Sequence, residues 1–194
     1  MFRYWKLLLP VLACSCGSSE SRPKTVYGQL RAHKDSLMRF DAESPFRKGN
    51  IPFEGLAYFP EQASWKLRAI WRRPKFRPTL TLATSKGDPR PVLQEGVVEF
   101  EAEGKKLRLQ AFSLEGDDGR LFIPFKDLTT GGETYGSGRY LEALKEPGDS
   151  VWLDFNLCYQ PYCAYNPEYS CPLVPAENTL SVAVRAGEKE KGGR

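Results

Sequence analysis

Val92 to Phe112 reads VLQEGVVEFEAEGKKLRLQAF. Two strand-like runs, Val92–Ala102 and Leu107–Phe112, flank Glu103-Gly104-Lys105. A short glycine-bearing break between such runs is the signature of a β-hairpin. The same pattern extends in both directions. Upstream, Phe53 to Phe59 is a short apolar run. Trp65, Leu67, Ala69 and Trp71 alternate with Lys66, Arg68, Ile70 and Arg72, and Leu80, Leu82 and Thr84 alternate with Thr79, Thr81 and Ala83. A period of two is that of strands. Ser85 to Pro89 (SKGDP) is turn chemistry. Downstream, Gly116-Asp117-Asp118-Gly119 turns the chain into Leu121–Phe125, and Val151–Phe155 and Leu180–Val184 are the last strands. About eight strands at this spacing, with a single helix ahead of them, predict a mainly β fold: an antiparallel β-sandwich or partial barrel with one N-terminal helix.

That helix is expected over Thr25–Phe40. Val26, Leu30, His33, Leu37 and Phe40 recur at spacings of four and three, which predicts an amphipathic helix with this stripe turned to the core. Ser44-Pro45 ends it. His33, the only histidine, lies on the stripe and reads as a packing residue.

The start of the chain has a different grammar. Arg3 and Lys6 precede an apolar run, Leu7–Ala13, and then Cys14-Ser15-Cys16-Gly17. A basic start, a short apolar run and a small residue before a cut are the marks of a secretory signal peptide. The run is far shorter than the roughly 20 residues needed to span a bilayer. Val11-Leu12-Ala13-Cys14 resembles the lipobox of bacterial lipoproteins, which implies acylation of Cys14, with Cys16 as the alternative. Residues 1–13 are thus expected to be a signal peptide and 14–23 a lipidated cysteine with a flexible tether (GSSESRP). A single globular domain over 24–188 and a charged flexible tail over 189–194 would follow. The expected place is the cell envelope, outside the cytoplasm and lipid-anchored. Ser15 resembles the outer-membrane sorting pattern of a Gram-negative cell.

The chain has 194 residues and a net charge of +4, and loss of the first 13 removes Arg3 and Lys6 and no acid, leaving +2. That small, mixed charge argues against a nucleic-acid partner. The basic run Arg68, Arg72, Arg73, Lys75 and Arg77 around Trp65 and Trp71 reads as a solvated strand edge, or as a surface for phosphate-rich lipid or another partner.

Two segments carry chemistry. Phe125–Tyr140, FKDLTTGGETYGSGRY, combines four glycines with Asp127, Thr129, Tyr135, Arg139 and Tyr140. Glycine-rich backbone can leave amides free for an anion, and arginine can clamp a carboxylate or phosphate. The alternative is a loop stapled by an ion pair of Arg139 with Asp127 or Asp154. The second segment, Asp154–Asn178, holds four prolines, four tyrosines and three cysteines. Asp154 and Asn156, two apart at a strand end, share a face. In an oxidising compartment Cys163 and Cys171 are the disulfide candidates; the alternatives are a buried thiol, a metal site or a nucleophile. The spacing C-x4-C-x7-C lacks the paired knuckles of zinc modules, so no metal is assigned, and no cofactor is nominated.

From Lys34 to Glu188 the chain resembles the bacterial family catalogued as domain of unknown function 1684. The resemblance rests on Lys34-Asp35 with Leu37, Ser44-Pro45-Phe46, Phe53-Glu54-Gly55-Leu56-Ala57-Tyr58-Phe59, and Phe125 with Asp127 and Thr129. It continues through Glu133-Thr134-Tyr135-Gly136, Gly138-Arg139-Tyr140, Asp154-Phe155-Asn156, Pro161 with Cys163-Ala164-Tyr165, Cys171-Pro172, Asn178 and Ala186-Gly187-Glu188. It departs from the usual pattern at Leu157 and Gln160. The resemblance implies a fold unit and a motif set, with no reaction attached.

The function expected is a lipid-anchored binding module whose Asp127, Thr129, Tyr135, Arg139, Tyr140, Asp154, Asn156 and Asn178 line a pocket for a small polar or anionic ligand. Two alternatives stand beside it. One is an envelope hydrolase or isomerase using Asp127 and Asp154 as the acid–base pair with Arg139. The other is a structural or partner-binding lipoprotein, with the polar cluster as an internal staple and the Trp65/Trp71 strand as its surface.

Overall fold

The computed structural model describes residues 25–114 and 119–192. The leader, Cys14, Cys16, the tether and the turn at 116–118 lie outside them. The hairpin forms as read. β4 (Arg90–Ala102) and β5 (Lys105–Ser113) are paired with Ala102 opposite Lys105. Glu103 and Gly104 both take positive φ, 51° and 68°, the two-residue turn whose twist matches paired strands. A register shift between Gln94 and Gly96 bulges β4. Gly96 sits there at φ 119°, and a Cβ on it would meet the Arg72 carbonyl oxygen at 2.1 Å.

The other strands are β1 (Ala57–Tyr58), β2 (Lys66–Arg72), β3 (Thr79–Leu82), β6 (Arg120–Phe125), β7 (Arg139–Leu144), β8 (Ser150–Asp154) and β9 (Glu188–Lys189). The main sheet runs β7-β6-β5-β4-β2-β8, with β3 also on β4, and β1 pairs with β9 in a small second sheet. The named strands pair antiparallel throughout. The chain leaving β8 returns to the other edge. The Tyr140 amide donates to the Tyr159 carbonyl at 2.8 Å and the Tyr159 amide to the Tyr140 carbonyl at 2.9 Å. This bridge brings the sheet close to a closed barrel.

Alternate residues fill the interior: Ala69 and Trp71 of β2, Val98 and Phe100 of β4, Leu107, Leu109 and Ala111 of β5, and Leu121, Ile123 and Phe125 of β6. Trp65 and Trp71 belong to this core, which corrects their reading as an exposed strand surface. Lys66, Arg68, Ile70 and Arg72 of β2 face out, and Arg68, Arg72 and Arg77 are paired with Glu146, Glu99 and Glu95. β6 is apolar on both faces because Phe122 points outward into a second cluster with Tyr140, Val92 and Cys171.

Two strand assignments change. Arg139–Leu144 is β7, which takes Arg139 and Tyr140 out of the expected loop Phe125–Tyr140. Leu180–Val184 forms no strand; it bends at Ser181 and Val182, bonds to the backbone of Lys126 and Leu128, and drops Leu180, Val182 and Val184 into the core.

α1 (Val26–Phe40) has the expected bounds, with the Thr25 side chain accepting from the Gly28 amide at 2.9 Å, and a four-residue α2 (Pro45–Lys48) follows. Its orientation is the reverse of expectation. Val26, Leu30, Leu37 and Phe40 are 70, 45, 46 and 72 % exposed, and His33 is exposed with them. The inward face is polar because the barrel offers it polar partners. The Tyr27 hydroxyl donates to Asp154 at 2.7 Å, Arg31 stacks on Tyr58, Lys34 pairs with the buried Glu188, and Asp35 accepts from the Leu56 amide. Met38 is its one buried side chain. Among the described residues no helix is long and apolar enough to cross a membrane.

Candidate functional site

The residues nominated from sequence separate into three groups. The first surrounds Arg139, which is 1 % exposed at the start of β7. Its Nη2 donates to Asp127 Oδ2 at 2.7 Å and to the Val184 carbonyl at 2.7 Å; its Nη1 donates to the carbonyls of Ala186 at 2.6 Å and Glu188 at 3.0 Å. Asp127 Oδ1 accepts from the amide and the hydroxyl of Thr129, and Thr129 in turn meets Thr134 at 3.0 Å. The glycine-rich loop keeps its amides for itself. Those of Gly131, Gly132, Glu133, Thr134 and Gly138 all donate to carbonyls between Thr129 and Tyr135. The loop is therefore an internal staple holding Val184–Glu188 against β7. Those five amides are not free for an anion, a correction to the sequence expectation.

The second group consists of two isolated clamps. Asp154 takes the Tyr27 hydroxyl on Oδ2 and the amide and side chain of Asn156 on Oδ1. Asn156 also exchanges two bonds with the Gln62 backbone at 2.9 Å each. Asp127 and Asp154 share no partner. Asn178 is fully buried between β5 and β6, which share one registered pair, Phe112 with Phe122. Pro124 has no N–H to give, and Asn178 fills the gap. Its Oδ1 accepts from Gln110 N at 2.7 Å and its Nδ2 donates to the carbonyls of Gln110 at 2.9 Å and Pro124 at 2.7 Å.

Tyr135, Tyr140, Cys163 and Cys171 form the third group, beside an open cleft of about 710 Å³ on the outer face of the barrel. Its walls come from three places. α1 gives Lys34, Leu37 and Met38; β6 and β7 give Arg120, Phe122, Tyr140 and Glu142; the segment after β8 gives Tyr159, Tyr162, Tyr169, Cys171 and Pro172. The tyrosines are held edge to face: Tyr140 on Phe122 at 4.8 Å, Tyr159 on Tyr140 at 5.8 Å and Tyr162 on Tyr169 at 5.2 Å between ring centres. The hydroxyl of Tyr140 is committed to the Pro172 carbonyl, and burial pushes it well above the ordinary phenol range. At the rim Lys34 Nζ lies 4.4 Å from the centre of the Tyr159 ring, and Arg120 donates to Glu142 at 2.9 Å. Neither Asp127, Arg139, Asp154, Asn156 nor Asn178 lines this cleft.

The three described cysteines are free thiols with contrasting settings. Cys158 is buried against the Ala186 carbonyl, and burial pushes its thiol up to about 11. Cys163 and Cys171 touch. The Cys163 amide donates to Cys171 Sγ at 3.3 Å, and the two thiols hydrogen-bond to each other. The bond from Cys171 brings Cys163 down to about 6 against the effect of burial, with help from the hydroxyls of Tyr135 and Ser85. Cys171 is raised by the same bond and by burial.

The family described as protein of unknown function (DUF1684) matches residues 52–189, well over half of the chain. The chain belongs to the DUF1684 family. The solution NMR structure of an uncharacterized protein of Haloarcula marismortui is 35 % identical, with 83 % of this chain and 90 % of that one covered and a TM-score of 0.66. Among curated proteins, none matches. The DUF1684 match takes in β1 to β9 and both walls of the cleft except α1. Lys34, Arg120, Tyr162 and Ser85 were missed as site residues. Ser85 lies in the turn motif SKGDP, and the role of Lys34 depends on its distant partner Glu188.

Proposed function

We propose that this DUF1684 protein is a lipid-anchored module of the cell envelope that binds a small molecule with an apolar or aromatic body and an anionic end. The cleft carries this reading. Ligand sites are concave and mostly apolar, with a few polar groups that fix orientation. Here tyrosine edges, Leu37, Met38 and Phe122 supply the body's surface, and Lys34 and Arg120, paired with Glu188 and Glu142, supply the polar groups at the rim. The polar residues first nominated act as the frame. The Arg139 staple fixes the segment ending in Glu188, and Glu188 fixes Lys34.

The anchor rests on the lipobox-like Val11-Leu12-Ala13-Cys14. The outward stripe of α1 supports the same placement, because an amphipathic helix can lie in a membrane interface. The experiment is a titration of the protein with 1-anilinonaphthalene-8-sulfonate, a probe with an aromatic body and one anionic group. The native protein should enhance its fluorescence with micromolar affinity. Leu37→Glu, at a half-exposed position on the cleft wall, and Lys34→Met should each weaken binding about tenfold, with circular dichroism and melting temperature tracking fold integrity. A native protein that leaves the probe dark, or two folded variants that bind it as tightly as the parent, would remove the cleft from consideration.

A further inference from the structure

We propose that Cys163 and Cys171 form an exchange-active dithiol that takes small-molecule disulfides as its substrate, with Cys163 attacking and Cys171 resolving. Geometry separates the two roles. Both cysteines sit on the loop that follows β8, and that loop is pinned. The Tyr162–Ala164 turn carries Cys163, and Cys171 is held on both sides by Ser85, whose amide donates to the Cys171 carbonyl at 2.9 Å and whose hydroxyl accepts from the Cys171 amide at 3.1 Å. The sulfurs are thus kept in hydrogen-bond contact by backbone restraints rather than by a bond between them.

Cys163 is half-buried, whereas Cys171 is 7 % exposed and meets solvent only at the cleft wall. The Cys171 thiol and the Tyr135 hydroxyl meet the Cys163 sulfur, beside the Ser85 hydroxyl, whose own proton goes to the Tyr169 carbonyl at 3.2 Å. Hydrogen bonds to a thiolate favour it, and the thiolate is the nucleophile. No histidine takes part. Cys158 has none of these donors and is the internal control. A recessed sulfur suits a small disulfide better than one carried on another protein's surface.

The exchange balances in two steps. The Cys163 thiolate attacks one sulfur of the external disulfide, forming a mixed disulfide and expelling one external thiolate. Cys171 then gives up its proton, attacks the Cys163 sulfur and expels the second thiolate. Two protein thiols are oxidised to one disulfide, and one external disulfide is reduced to two thiols.

The test uses the full chain, reduced and then exposed to oxidised glutathione, and read by mass spectrometry of the intact protein and its peptides. The wild type should lose two hydrogens and join peptides bearing Cys163 and Cys171. Cys171→Ser should trap one glutathione on Cys163, while Cys163→Ser should trap none on the peptide bearing Cys171, adducts at Cys14 and Cys16 being read apart on their own peptide. In the unmutated protein, alkylation of Cys163 by iodoacetamide at pH 6.5 should stay within about twofold of its rate at pH 8.5, where a thiol of ordinary pKa near 8.5 would slow roughly fiftyfold. The proposal is overturned if no Cys163–Cys171 bond forms, if glutathione settles on Cys171 or Cys158 in preference to Cys163, or if Cys163 alkylation shows the ordinary pH dependence. The last readout needs no variant, so a folding failure in either mutant leaves the question answerable.

Discussion

The guanidinium of Arg139 meets one carboxylate and three carbonyls, those of Val184, Ala186 and Glu188, with the planar fork that only arginine has. A lysine ammonium has three donors on one atom and cannot reach two sides of the segment at once. Arg139→Lys should therefore destabilise the protein by about 3 kcal/mol or more, the cost of leaving a buried charge partner and carbonyls unmet. Urea unfolding should show it as a lower midpoint at unchanged slope; a loss below about 0.5 kcal/mol, the level of an ordinary surface change, would contradict the staple. The neighbouring Gly187 makes the same point through space. At φ 73° its Cβ would meet Cys158 Sγ at 2.5 Å and the carbonyl oxygens of Cys158 and Phe155 at 2.6 and 2.7 Å. Residue types were legible here and roles were not. Asp, Thr, Gly and Arg in one stretch suit an anion site and an internal staple equally. What decides between them is where Val184–Glu188 runs, and nothing local to Phe125–Tyr140 carries that information.

At the scale of elements, the bulge in β4 shows how one acid ties several strands together. Glu95 is 3 % exposed; its Oε1 accepts from the Ser113 hydroxyl at 2.7 Å and from Lys145 and Arg77 at 3.1 Å each. Burial works against its charge, but these bonds outweigh it and hold the carboxyl below its usual range. A carboxyl whose folded pKa lies below its unfolded value contributes stability that is full above the unfolded value and is lost as pH falls through the folded one. Glu95→Gln should thus cost about 1–3 kcal/mol at pH 7. The gap to the parent should narrow below roughly pH 4.3, the unperturbed value. Urea midpoints for both proteins between pH 7 and pH 3 would test this, and a gap of constant size would refute the depressed carboxyl.

The strands themselves were readable because alternation and turn glycines are local signals, as the positive φ of Glu103 and Gly104 shows. β7 was hidden because its first two residues, Arg139 and Tyr140, look like site chemistry. α1 was found with its bounds but facing the wrong way, since periodicity marks a stripe without saying what the opposite face will meet. Here that face meets Asp154, Tyr58 and Glu188, from parts of the chain far away in sequence.

At the scale of the whole molecule, the barrel is a frame that carries α1 and the post-β8 loop on one outer face, with the cleft between them. The lipid anchor proposed at Cys14 would lie 12 residues before Val26. A chain of that length spans at most about 40 Å. The helix would then stay within reach of the bilayer however the barrel turned. An amphipathic stripe binds a membrane interface in proportion to the apolar area it buries, and Val26, Leu30 and Phe40, exposed and outside the lining of the cleft, offer that area with Arg39 on the same helix for anionic headgroups. The lipidated chain, reconstituted into vesicles of phosphatidylethanolamine and phosphatidylglycerol, should therefore rest with α1 against the surface and the rest of the barrel outward. An indole introduced by Leu30→Trp should shift to shorter emission wavelength on reconstitution and be quenched by lipids brominated on their acyl chains. The native Trp65 and Trp71, deep in the barrel, should not respond, and the half-exposed Trp152 is replaced by Phe in each protein compared. Adding Val26→Gln and Phe40→Gln should reverse both signals while the lipid still holds the protein on the vesicles. An indole that stays solvent-exposed on anchored protein would mean that the stripe faces water or another partner, with the anchor acting alone.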